Sequence, residues 1–80
     1  MTEQRPISEI AADIRAHWPN PNYAAVPYLD AMRTLNAPSD TYGHDSGQSI
    51  ILYFLNNAKS FKGEDARRIK TELKKLNRPL

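Results

Sequence analysis

The chain contains no cysteine. That removes disulfides, thiolate metal sites and thiol nucleophiles together, and with them the cross-links on which many very small secreted domains rely. Glycine is also scarce: Gly43, Gly47 and Gly63 are too scattered to build a phosphate-cradling loop, so the familiar nucleotide sites are disfavoured. The longest apolar run, IILYFL at residues 50–55, is far short of a membrane span, and the opening MTEQRPISEI has no apolar leader segment. Neither a repeat nor a low-complexity stretch occurs. The expectation from these absences is a soluble, cytoplasmic protein without membrane contact.

What is present points to one folded domain over residues 1–80. With 40% hydrophobic and 25% charged residues the chain is too apolar for wholesale disorder. A domain of this size buries only about 60–65% of the surface its unfolded chain exposes, so large apolar residues are read as structural first. The formal charge is +2, unevenly placed. Residues 1–58 carry three arginines against six acids, whereas residues 59–80 carry five lysines and three arginines against three acids. Such asymmetry bears on partners rather than on fold.

Hydrophobic periodicity and punctuation divide the chain into four helices. Ile7, Ile10, Ala11, Ile14 and Trp18 recur at helical spacing, with Ser8 as a cap and Glu9 in the first turn, predicting a helix over 7–17 that Pro19 and Pro21 terminate. Ala25, Tyr28, Leu29, Met32 and Leu35 form a stripe that predicts a helix over 25–35, with Pro27 in its first turn, followed by a long loop over 36–44. IILYFL reads equally as a buried strand, but Asp45 and Gln48 ahead of it fit a capping box, and Ser46 offers the same service one register along. A helix over 46–58 follows. The last helix, over 63–76, has Glu64 and Asp65 in its first turn, Lys74 and Lys75 in its last, and an apolar seam of Ala66, Ile69, Leu73 and Leu76. The fold class expected is all-α, a compact bundle of four short helices with frayed termini at 1–6 and 77–80.

The stretch DTYGHDSGQS gathers the side chains a chemist would inspect first. His44, Asp45 and Ser46 are the residue types of a hydrolase triad, yet sequence neighbours cannot arrange themselves as nucleophile, base and orienter without an unusual local fold, and capping explains them. His17 and His44 lack any metal-binding spacing, so no metal and no cofactor is expected. Trp18, Tyr23, Tyr28 and Tyr42 either line a pocket or plug the ends of the bundle.

Two surfaces remain. At 100° per residue Ile51, Phe54, Leu55 and Ala58 share one arc of the third helix, which leaves Leu52 and Tyr53 outside it in need of a partner: a second copy of the chain or another protein. On the last helix Arg67, Lys70, Lys74 and Lys75 form a cationic stripe suited to phosphate backbone, with Arg68 neutralised between Glu64 and Glu72. No aromatic residue is interleaved there for stacking, and the third and fourth helices lack the spacing of a helix-turn-helix pair.

The succession ISEIAADIRAHW, NYAAVPYLDAM, YGHDSGQSIILYFL and FKGEDARRIKTELK resembles a group of short helical proteins from actinobacteria and their phages or integrated elements. The resemblance spans nearly the whole chain. It implies a helical fold and transfers no activity and no site residue. The function expected is therefore a non-catalytic helical interaction module, self-associating or binding a partner protein. The alternative is a small nucleic-acid-associated regulator acting through its basic C-terminal helix.

Overall fold

A computed structural model describes residues 5–77 of the chain. In chain order it places α1 (Ile7–His17), α2 (Val26–Met32), β1 (Thr41–Tyr42), β2 (Asp45–Ser46), α3 (Gly47–Asn56) and α4 (Glu64–Leu76). The expected bundle of four helices is there, but the fold is not purely α: β1 and β2 pair antiparallel, with Thr41 opposite Ser46 and Tyr42 opposite Asp45. α1 packs on α2 and α4, and α2 packs on α3.

α1 begins differently from the local sequence rules. Ser8 does not cap α1. The preceding residue, Pro6, carries no side-chain cap, and the first N–H groups of the helix, at Ile7 and Ser8, donate instead to the carbonyls of Asn36 (2.9 Å) and Leu35 (2.8 Å). Backbone after α2 thus satisfies the orphan donors of α1. For that geometry the chain must leave the α2 axis early. α2 stops at Met32, three residues short of expectation, and Thr34 and Leu35 donate back to Ala31 and Met32 in tighter i−3 bonds, so that Leu35 stays in the core outside the helix.

The segment read as a loop over 36–44 folds around Asp40, whose carboxylate accepts from the N–H groups of Asn36 and Ala37 at 2.9 and 3.0 Å. It then enters a two-residue hairpin turn at Gly43 and His44. Only Gly43 takes a positive φ, +63°, the pattern of a turn with glycine first. Asp45 pairs with Tyr42 in the hairpin, so the helix begins one residue later than a capping box at Asp45 requires. Ser46 is the cap: its Oγ accepts from the Ser49 N–H at 3.1 Å.

Gly47 opens α3 in full burial. Its N–H donates to the Asp40 carbonyl at 2.6 Å, and the next N–H, of Gln48, donates to Pro38 at 3.0 Å. A Cβ on Gly47 would lie 2.9 Å from the Ala37 carbonyl oxygen and 3.1 Å from the Pro38 backbone. IILYFL is helical, burying Ile50, Ile51 and Phe54. α3 ends at Asn56, and Ala58 reaches the core from the turn that follows. α4 starts after Gly63, whose φ of +108° is open only to glycine without strain, and buries Ala66, Ile69 and Leu73.

The core runs through all four helices and is closed at one end by aromatic packing. Trp18, just past α1, stacks on Phe61 in the α3–α4 turn (4.9 Å between centroids, 14° between planes) and meets Phe54 edge-on at 6.3 Å. Such pairs add about 0.5–1.5 kcal/mol beyond the area they bury.

Two substitutions check this account of the α3 start. Ser46→Ala should destabilise the fold by about 1 kcal/mol through loss of the cap, whereas Asp45→Ala should stay within about 0.5 kcal/mol. Gly47→Ala, forced against backbone rather than side chain, should cost about 1–3 kcal/mol. Thermal or urea unfolding reads all three.

Candidate functional site

The outer face of α3 carries the largest exposed apolar side chains of any helix among the described residues. Leu52 is 51% and Tyr53 41% exposed, on the side of the helix away from Ile51 and Phe54. Tyr28 of α2, half-buried, lies against Tyr53 with ring centroids 5.5 Å apart and planes tilted by 45°. α3 has no charged residue from Gly47 to Asn56, so Gln48 and Asn56, which flank Leu52 and Tyr53 on the surface, add polarity without charge. The remaining aromatics do not join this surface into a pocket. Trp18 is in the core, Tyr23 is 93% exposed on the α1–α2 loop, and Tyr42 stands half-exposed on the hairpin. The four aromatic residues considered as pocket lining therefore share no pocket.

α4 presents a second surface, sorted by charge. On its α1 side six residues form one ion network. Arg5 donates to Glu72 (Nε to Oε2, 2.9 Å) and lies 3.1 Å from Asp13, and Arg68 reaches Asp13 at 3.3 Å and Asp65 at 3.4 Å. His17 places one ring nitrogen 3.0 Å from a carboxylate oxygen of Asp13 and the other 3.5 Å from Asp65. Arg68 is thus paired, but with Asp13 and Asp65 rather than with Glu64 and Glu72, because Arg5 takes Glu72. Arg5, expected in a frayed terminus, is held on two carboxylates.

The network sets its own protonation. Burial alone would raise the Asp13 carboxyl, but hydrogen bonds from Arg68 and Arg5, together with their charges, outweigh it and hold the group below its ordinary value. The Arg5 guanidinium is pushed up, chiefly by its hydrogen bond to Glu72 against the opposing effect of burial, with Asp13 adding to the rise. In the loop, the N–H groups of Ala37 and then Asn36 hold the Asp40 carboxyl low.

On the opposite side of α4 the expected stripe loses one member. Lys70 is not free charge. Its Nζ donates to the carbonyls of Ala58 (2.8 Å) and Phe61 (2.7 Å) and lies 5.7 Å from the centre of the Phe61 ring, fastening the α3–α4 turn to α4. Burial pushes its pKa down, and the charges of Lys74 and Lys62 push in the same direction. Arg67, Lys74 and Lys75 remain exposed and make no ion pair among the described residues, as do Lys59 and Lys62 in the turn.

The remaining candidates do not form a site. His44 is exposed in the hairpin turn, Asp45 is exposed beside it, and the Ser46 hydroxyl is engaged with Ser49. Among the described residues no three histidines or carboxylates are placed to hold a metal ion. A cleft of about 750 Å³ runs along α4 over Ile10 and Leu76, rimmed by Arg5, Arg68, Glu72 and Lys75. Arg5, Asp65, Arg68 and Glu72 of its lining belong to the ion network, and Glu64, Arg67 and Lys75 make no ion pair among the described residues. No described helix is long and apolar enough to cross a membrane. Comparison with family models, with curated proteins and with solved structures finds no match to the chain.

The depressed carboxyls of Asp13 and Asp40 predict acid sensitivity. Their contribution to stability is complete above the ordinary Asp value of 3.8 and is lost as pH falls below it through their lower native values. The thermal midpoint should therefore fall on acidification below about pH 4. Asp13→Asn should lower the midpoint at neutral pH and flatten that acid limb.

Proposed function

We propose that the protein is a non-catalytic helical interaction module that pairs with a second copy of itself through the outer face of α3. The observation that carries this reading is the exposure of Leu52 and Tyr53, side by side on a helix without a single charge. An isologous interface sets the same patch against itself, so any charge near its axis meets its own copy at a cost. The α3 face avoids that cost, whereas the cationic side of α4 would incur it. Tyr28, braced against Tyr53, widens the patch and limits the rotamer freedom that association would have to remove.

The size of the patch sets the strength. Two half-exposed side chains and the edge of a third fall well short of the ~800 Å² per partner of a standard stable interface. The pairing supported is weak and reversible, of the kind that becomes significant when the chain is locally concentrated. A larger partner assembly would find the same neutral, aromatic surface available.

Sedimentation at rising concentration tests the reading. The wild type should shift from monomer toward dimer between about 10 μM and about 1 mM, the range of affinities a patch of this size supports. Leu52→Glu, which sets like charges across the axis at an exposed position, should weaken association about tenfold or more, ~1.4 kcal/mol, while leaving the unfolding midpoint nearly unchanged. A wild type that stays strictly monomeric to about 1 mM would overturn the proposal.

A further inference from the structure

Tyr23 is 93% exposed. A tyrosine so placed contributes almost nothing to the core, and nothing in its own segment, NPNYAA, explains it. Its surroundings come from another part of the chain. The Ser60 hydroxyl donates to the Asn22 side-chain oxygen at 3.0 Å, and Trp18 stacks on Phe61 at 4.9 Å, so two contacts tie the α1–α2 loop to the α3–α4 turn. Tyr23 follows Asn22 and Lys59 precedes Ser60. One chain step on either side of a hydrogen-bonded pair keeps their Cα atoms within about 15 Å.

From Lys59 the positive charge continues. Lys62 is exposed in the same turn, Lys70 is anchored beneath it, and the charges of Lys62 and Lys74 both bear on the Lys70 ammonium. Arg67 stands about two turns before Lys74 on the exposed side of α4. Two of the three acids of α4 are committed elsewhere, Asp65 to Arg68 and His17 and Glu72 to Arg5, while Glu64, three residues before Arg67, makes no ion pair among the described residues and leaves the row net positive, with five cations against one acid. A row of cations ending in a bare aromatic ring is what the linear sequence lacked, since its basic helix has no interleaved aromatic residue.

We infer that the surface formed by Tyr23, Lys59, Lys62, Arg67 and Lys74 binds single-stranded nucleic acid, the cations holding successive phosphates and Tyr23 stacking on a base. Phosphate contacts give affinity without sequence preference, and stacking tolerates every base because each has a π face. A duplex keeps its bases stacked internally and has no use for Tyr23. An anionic membrane surface would call for several apolar side chains beside the cations, and Tyr23 stands alone. The surface is separate from the α3 face, so the two proposals stand or fall independently.

Fluorescence anisotropy with labelled oligothymidine, oligouridine and a matched duplex, and flotation with phosphatidylserine vesicles, test the inference on the full chain at about 50 mM salt, where electrostatic binding is strongest. Both single strands should bind more tightly than the duplex, and a preference between them identifies DNA or RNA as the natural ligand. Affinity should fall with salt by about 0.7 log units per tenfold rise for each phosphate neutralised. Tyr23→Ala should cost about tenfold with the salt slope unchanged, while Lys62→Ala and Lys74→Ala should each reduce the slope by about 0.7. All three positions are exposed, and circular dichroism should confirm an intact fold. Absence of binding, an unaltered Tyr23→Ala variant, a duplex bound as tightly as the strands, or vesicles bound in preference to them would each overturn the inference.

Discussion

The close approach of Gly47 to Ala37 and Pro38 decides what the rest of this molecule can present. It closes the loop after α2 onto the first turn of α3, where the Asp40 and Pro38 carbonyls take up the N–H groups of Gly47 and Gln48. With the Ser46 hydroxyl on the Ser49 N–H, the helix start is fixed to a single residue. Once the start is fixed, 100° per residue fixes the faces: Ile50, Ile51 and Phe54 turn inward, and Leu52 and Tyr53 turn outward. A start one residue away would rotate the same greasy segment and bury a different set. The surface on which association is proposed is thus a consequence of backbone packing at a glycine about one and a half turns earlier.

Charge is arranged by the same logic of remote satisfaction. Among the described residues, six cations of α4 and its preceding turn make no ion pair, four of them on the helix itself, whereas Arg68 is paired through Asp13 of α1 and Glu72 is taken by Arg5 from the start of the chain. The residues of α4 that meet Arg5 and α1 are paired, while Arg67, Lys74 and Lys75 are left as unpaired positive charge on its exposed surface. Lys70 sits at the border, its ammonium on two carbonyls and over the Phe61 ring, a cation serving the backbone rather than a ligand. The α3 face and the α4 face therefore differ in kind, one neutral and aromatic, the other cationic.

Much of this was legible in the sequence, and what was not has physical causes. α1 could be read to its bounds, because an apolar stripe runs without interruption into Pro19. The helical state of IILYFL followed from hydroxyl and acidic groups ahead of it, although the capping residue is Ser46 and not Asp45: the two-residue Gly43–His44 turn recruits Asp45 into a hairpin too short to leave a strand-like pattern. The early end of α2 and the missing cap at Ser8 are one event, since carbonyls after α2 replace a side-chain cap on α1, and no local rule reveals that exchange. A helical wheel assigns Lys70 to the charged stripe because it treats a lysine as pointing where its Cα points, whereas a four-carbon stem can fold back onto the turn. Tyr23 gave no signal because what ties its segment to the lysines of the α3–α4 turn is the Asn22–Ser60 bond, between residues more than thirty apart in the chain.

As proposed, α3, started at Gly47, offers Leu52 and Tyr53 to a second copy of the chain. Amide chemical shifts of isotope-labelled protein, recorded over a range of concentrations, test it in one sample. Helical shifts should run from Gly47 to Asn56, and concentration-dependent changes should centre on Leu52, Tyr53 and Tyr28 while sparing the Asp13 network. Extended-chain shifts across residues 50–55, or spectra that do not move with concentration, would contradict it.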